Sequence, residues 1–175
     1  MDFADLNGDG RTDIVSTAWP GYALALYAPA SPEQPWQTEV IGSLGPDQLI
    51  SVRLADIDGD QDLDLFVGAY SRGPRDRDGD AVTRNDPVGR IAWFERRDAG
   101  WLRHDISRRK RGMFDKWLAH DFDGDGDIDF AGTRGNSEPF DGVFWLEQVR
   151  DSSEAVNPRF TGAWPNDSQQ LPLPD

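Results

Sequence analysis

Three nine-residue segments align without a gap: Asp5-Leu-Asn-Gly-Asp-Gly-Arg-Thr-Asp13, Asp56-Ile-Asp-Gly-Asp-Gln-Asp-Leu-Asp64 and Asp121-Phe-Asp-Gly-Asp-Gly-Asp-Ile-Asp129. Each reads D-x-[DN]-G-D-x-x-x-D, and each runs into a short apolar stretch: Ile14-Val15, Leu65-Phe66-Val67-Gly68 and Phe130-Ala131-Gly132. A unit recurring at this scale is one supersecondary element that buries its apolar face only against its neighbours, so the chain is a repeat protein before it is anything else.

The likeness continues between the loops. A second apolar run follows each motif: Ala23 to Tyr27, Ile91 to Phe94 and Val143 to Leu146. Trp36 to Ile41 and Trp101 to Ile106 form a third, with Phe160 to Trp164 a poorer copy. Leu49 to Leu54 and Phe114 to Leu118 form a fourth that leads into the next loop. Trp36 lies 20 residues before Asp56, and Trp101 lies 20 before Asp121. Short apolar runs bounded by Gly and polar residues read as strands, and no stretch sustains a helical period. Four short strands per unit at this spacing predict an all-β fold of β-propeller blades, three four-stranded repeats in all.

By this reading residues 1–150 are the repeats, and 151–175 hold a partial last strand and a Pro-rich, irregular tail. An insertion at about Ser71 to Gly89 has the Gly, Pro and Asp content of a loop. The basic run Arg108 to Arg111 reads as a solvated loop between third and fourth strands. Only four residues precede Asp5, so the strand entering the first loop is expected to be missing, and the chain stops before a fourth loop would begin. Three blades leave open β edges. The expectation is a segment of a larger propeller, its partners being the remaining blades or, alternatively, further copies of the chain.

The Asp loops carry the chemistry. Calcium takes six to eight oxygen ligands at about 2.3–2.6 Å. Carboxylates at positions 1, 3 and 5 of a curled loop converge, position 7 offers its carbonyl, and position 9 completes the cage. The candidate ligands are Asp5, Asn7, Asp9, Arg11 and Asp13; Asp56, Asp58, Asp60, Asp62 and Asp64; and Asp121, Asp123, Asp125, Asp127 and Asp129. Gly10 and Gly126 fill position 6, where glycine permits the tight curl; Gln61 departs from this, and if the position is left-handed, strain is expected there. An EF-hand would need Glu at position 12, where Ser16, Val67 and Gly132 stand instead. Cysteine-dependent calcium repeats are excluded by the absence of Cys. Asp residues serving only as turn formers would explain one such loop, but not three crowded ones, because unneutralised carboxylates repel. A further candidate, Asp76 to Asp80, has Arg84 at its ninth position and reads as a solvated loop.

These residues resemble the FG-GAP/VCBS repeat family, whose calcium-loop blades also build the propellers of integrin α-subunits. The match lies at the three Asp loops, at Asp64-Leu-Phe-Val-Gly68 and at Ile91-Ala-Trp-Phe-Glu95, and it spans about residues 2–150. The resemblance implies a propeller, about three structural Ca²⁺ ions and an extracellular or cell-surface setting, with no particular ligand.

The net charge of −14 would repel nucleic acid, and eleven of the acids sit at positions 1, 3, 5 and 9 of the loops; removing them leaves −3, so the acidity is local. The longest apolar stretches, such as Tyr22 to Ala28, are too short to insert in a membrane, and this segment shows no signal peptide. The leading function is a calcium-binding propeller module for adhesion, or for binding an extracellular protein or glycan. Alternatives are the propeller part of a carbohydrate-active enzyme (a polysaccharide lyase or sugar dehydratase) and a purely structural scaffold. Nucleophilic catalysis has no motif to support it. Convergent Arg, His and Tyr on the face away from the loops would favour the enzyme. His104 and His120 read as structural, Trp93 and Trp145 as blade packing, and Trp19 and Trp117 as candidates for stacking on sugar.

Overall fold

The computed structural model describes residues 1–73, 88–136 and 141–150, and the backbone of 159–162. Among the described residues there are twelve strands: β1 Asp2–Ala4, β2 Asp13–Ala18, β3 Tyr22–Tyr27, β4 Gln37–Ser43, β5 Gln48–Ala55, β6 Asp64–Arg72, β7 Gly89–Arg97, β8 Gly100–Arg109, β9 Arg111–His120, β10 Asp129–Gly135, β11 Gly142–Val149 and β12 Arg159–Gly162. There is no helix among the described residues. Every strand pairs antiparallel with its sequence neighbour inside three meanders, β1 to β4, β5 to β8 and β9 to β12. These are three four-stranded blades. The first is a separate sheet, while β6 and β9 pair at Tyr70 to Arg72 and join the second and third at one corner.

The blades begin one strand earlier than the sequence spacing suggests. The strand before each Asp loop belongs with the strand after it, so each loop is the first hairpin connection of its own blade. The strand expected to be missing ahead of the first loop exists. β1 is only three residues long because it needs to cover only the start of β2, from Asp13 to Val15. It is held by Asp2, whose Oδ2 accepts the Leu54 N–H at 2.9 Å and lies 3.5 Å from Arg53.

Stacking explains the sequence of the middle blade. Side chains alternate across a strand, so a sheet buried on both faces needs apolar residues at every position. From Asp64 to Ala69 every residue of β6 is buried. Leu65, Val67 and Ala69 pack with Phe94 against Val15, Ala23, Ala25 and Ile41 of the first blade. Phe66 and Trp93 face the other way, onto Phe114, Trp117, Phe130, Phe144 and Leu146 of the third. The end blades carry apolar residues on faces with no neighbour among the described residues: Leu118, Val143 and half-buried Trp145 on the third, Phe3 and Val40 on the first.

Two expectations are corrected. Trp117 is not free to stack on a ligand: it is buried edge-on against Phe66, and its Nε1–H donates to Ser51 Oγ at 3.0 Å. A register shift at Gly132/Arg134 brings both Trp117 and Phe114 to the core face, although two residues lie between them where strict alternation would have one or three. The basic run is not a solvated loop either. Arg108 and Arg109 are buried at the end of β8, and Arg111 already begins β9. The candidate loop Asp76 to Asp80 and all of 151–175 except β12 lie outside the described residues. β12 covers Phe160 and Gly162 of the poorer strand copy, paired with β11.

Candidate metal centre

All three Asp loops build the same staircase. The first Asp accepts the N–H of the fourth residue through Oδ1: Gly8 to Asp5 at 2.8 Å, Gly59 to Asp56 at 2.8 Å and Gly124 to Asp121 at 2.6 Å. Its Oδ2 accepts the N–H of position 6: Gly10 at 2.7 Å, Gln61 at 3.1 Å and Gly126 at 3.1 Å. The residues at positions 3 and 5 each accept the N–H two places on. These bonds wind the backbone so that the side chains turn inward, and they require a left-handed residue at position 6. Gly10 has φ +83° and Gly126 +99°; Gln61 has φ +79°, the strained non-glycine conformation that the sequence predicts.

Position 9 anchors each loop to its blade. Asp13, Asp64 and Asp129 are fully buried. Each uses Oδ2 to accept the N–H of position 2, from Leu6 at 2.9 Å, Ile57 at 2.9 Å and Phe122 at 3.0 Å. Each uses Oδ1 to accept a strand-end N–H, from Ala28 at 2.8 Å, Arg96 at 2.9 Å and Gln148 at 2.9 Å. The last two residues also reach to the preceding blade. The Arg96 guanidinium donates to the carbonyl of Leu6, and Gln148 Nε2 donates to the carbonyl of Ile57 at 3.0 Å, joined there by Arg150 at 2.8 Å. Adjacent loops are therefore wired through one residue, Leu6 or Ile57, whose N–H holds its own loop's Asp and whose carbonyl is held from the next blade. Sequence reasoning did not find this link. The signal was present in Trp93-Phe-Glu-Arg96 and Trp145-Leu-Glu-Gln148, an aligned W-x-E-[RQ] ending that blade one replaces with Ala28.

Oxygens of Asp56, Asp58 and Asp64 all lie within 4.8 Å of one another, as do those of Asp121, Asp123 and Asp129. Two oxygens on opposite sides of one calcium ion stand about 4.6–5.2 Å apart, so each trio has the span of a single coordination sphere. Asp60 and Asp125 stand outside these trios. At position 7, Asp62 Oδ1 and Asp127 Oδ1 are buried and accept no hydrogen bond among the described residues. In the first loop the corresponding trio is Asp5, Asn7 and Asp13, and the Arg11 guanidinium pairs with Asp9 while donating to the Ala28 carbonyl at 3.0 Å.

The electrostatics of the loops mark crowded, partly dehydrated carboxylates. Burial pushes Asp64 up to about 7 against the stabilising N–H bonds of Arg96 and Ile57. Burial and the Asp60 charge push Asp62 up to about 6; burial and the Asp125 charge do the same to Asp127. A divalent cation removes the repulsion and replaces the lost water ligands in one step. The residues present therefore fit a calcium ion.

The histidines are engaged elsewhere. His104 stacks on Trp93 at 4.4 Å with Nε2 2.6 Å from Glu95 Oε2, and His120 meets the edge of Phe122. The family model of the FG-GAP-like repeat matches residues 5–67, from the first Asp loop through the second and into β6. No curated protein matches the chain.

Proposed function

We propose, from the FG-GAP-like repeat carried by residues 5–67 and its copy in the third blade, that this chain is a calcium-stabilised propeller module. Each loop holds one Ca²⁺. The observation that carries this reading is the threefold staircase, which in loops two and three gathers three carboxylate oxygens within 4.8 Å beside a buried, unpartnered Asp oxygen. The ligands would be Asp56, Asp58, Asp62 and Asp64 in the second loop, and Asp121, Asp123, Asp127 and Asp129 in the third. Asp5, Asn7 and Asp13 would serve the first, with Asp60, Asp125, Asp9 and the position-7 carbonyls completing the shells. The third loop binds tightest, since it combines four carboxylates with glycine at position 6. The first is weakest, because Asn7 lacks a charge and Arg11 occupies Asp9.

Sites of this kind in extracellular modules work at about 10⁻⁴–10⁻³ M calcium, and an extracellular or cell-surface setting suits the module on this reading. The uncovered apolar faces of the end blades then take further blades or a second copy of the chain. The role is binding or adhesion rather than catalysis. Both histidines are taken up by packing, and the acids that could serve a reaction are gathered in the loops. Equilibrium dialysis with ⁴⁵Ca tests the reading. The expected stoichiometry is three ions per chain, falling to two in Asp129→Asn; no saturable uptake at 5 mM would sink it.

A further inference from the structure

The end of the blades opposite the Asp loops carries an open cleft of about 720 Å³ between the first and second blades. Trp19 and Pro20, on the β2–β3 turn, form one wall. Pro46 and Gln48, where the chain crosses between blades, form the floor. Tyr70 and Arg72, at the far end of β6, form the other wall. Trp19 is 80% exposed, a large aromatic face left in water where burial elsewhere in the chain claims Trp93 and Trp117. Arg72 is exposed and oriented: its Nε donates to Tyr70 Oη at 2.5 Å and its guanidinium lies 5.6 Å from the Tyr70 ring centre. That leaves its two terminal nitrogens as a fork. Arg111 stands directly across the β6–β9 pair from Arg72.

The charge pattern is the telling feature. The chain carries −14 overall, yet among the described residues no acid lines this cleft. Asp47, between Pro46 and Gln48 in sequence, is buried, its Oδ2 2.7 Å from Arg90 Nε and its Oδ1 accepting the Val88 N–H at 2.7 Å. The Asp loops stand at one end of the blades, and among the described residues a cation, an amide and an indole face line the cleft at the other.

We infer that this cleft binds an acidic oligosaccharide, with a sugar ring stacked on Trp19 and a carboxylate or sulfate taken by the Arg72 fork. A flat apolar face beside an amide suits the alternation of C–H faces and hydroxyls on a pyranose. A planar guanidinium suits two-point pairing with an oxyanion. Among the described residues the cleft is lined by an indole, an amide, a phenol and a guanidinium, groups suited to binding. The inference concerns the opposite end from the loops and does not depend on what the loops hold.

The test follows the Trp19 indole N–H in ¹H–¹⁵N spectra of the full chain, identified by its absence in Trp19→Phe. Tetrasaccharides of hyaluronan, chondroitin sulfate and polygalacturonate are each added to 10 mM, with maltotetraose as the neutral control. At least one acidic sugar is expected to shift the resonance saturably, about tenfold more tightly than maltotetraose, as one charge-assisted hydrogen bond would provide. Arg72→Met should erase that preference, and Trp19→Ala, followed through the backbone amides of Gln48 and Tyr70 in the same spectra, should weaken binding to all sugars. No shift with any acidic probe, equal binding of maltotetraose, or unchanged binding in Arg72→Met would overturn the inference. Melts in the same buffer, with 5 mM Ca²⁺ or with EDTA, separate a failed cleft from a failed fold or a failed metal reading.

Discussion

Replacing Arg96 with Met should loosen the first blade from the second while leaving the second Asp loop formed. The backbone N–H that holds Asp64 is unchanged by the substitution. What disappears is the guanidinium, which donates to the Leu6 carbonyl and lies 5.8 Å from the centre of the Trp101 ring. A hydrogen bond from a charged donor contributes about 1.5–3 kcal/mol. The partly exposed cation–π contact adds about 0.5–1 kcal/mol. Met keeps most of the aliphatic packing, so the net loss is about 2–4 kcal/mol. For a chain of this length each kcal/mol moves Tm by about 2–4 °C, giving a fall of roughly 4–16 °C in a thermal melt. The loss should be local, because no backbone ladder joins the first sheet to the rest. Hydrogen exchange should quicken in β2 and β3 and stay slow in β9 to β11. Leu6 also holds Asp13 through its N–H, so calcium binding at the first loop should weaken with it. A melt within about 1 °C of the parent, or exchange quickened equally in all three blades, would refute the idea that this side chain clamps the two blades.

Three further outcomes are expected. Gln61→Gly relieves a left-handed non-glycine residue at about 1–2 kcal/mol, less about 0.5–1 kcal/mol of added chain entropy; Tm should rise by a few degrees and calcium affinity at the second loop should not fall. Gly132→Ala places a methyl 2.2 Å from Trp117 Cζ3, displacing the ring from its bond to Ser51; overpacking of this kind costs about 1–3 kcal/mol, read as a lower urea midpoint. The pH dependence follows from the raised carboxylates. Asp64 at about 7, and Asp62 and Asp127 at about 6, bind protons in the folded state that the unfolded chain releases near 4. Without calcium, stability is therefore greatest below that range and is lost as pH rises from about 4 to 7. With calcium the loss should vanish, since the ion takes the ionised form, and melts at pH 5 and pH 7.5 with and without EDTA check both halves.

Much of the fold was legible because it repeats. Three matched loops and the runs between them locate the strands, and the left-handed Gln61 follows from its two glycine counterparts. What was hidden depends on partners far away in sequence. The grouping of strands into blades is decided by pairing across each Asp loop, which spacing alone leaves open. Trp117 looked irregular because a bulge at Gly132/Arg134 breaks the two-residue alternation that marks a core face. The basic run looked solvated because charge argues for exposure, yet Arg108 and Arg109 continue β8 into the buried end of the blade. For the candidate site, the loop residues could be named but not the links between loops. Arg96 and Gln148 follow their loop Asp at 32 and 19 residues, a spacing scrambled by loops of different length. The cleft was half visible: Trp19 stood out, but its meeting with Tyr70 and Arg72 is a product of blade stacking.

Thermal unfolding at pH 7 in EDTA, in 10 mM Mg²⁺ and in 10 mM Ca²⁺ tests the central claim most directly. With Kd about 0.1–1 mM, 10 mM calcium adds about 1.4–2.7 kcal/mol per site. Three sites add about 4–8 kcal/mol, and Tm should rise by at least about 8 °C over EDTA, with magnesium giving a small fraction of that. Superimposable melts in EDTA and calcium would contradict the account, because three folded loops of converging carboxylates would then gain nothing from the ion they are shaped to hold.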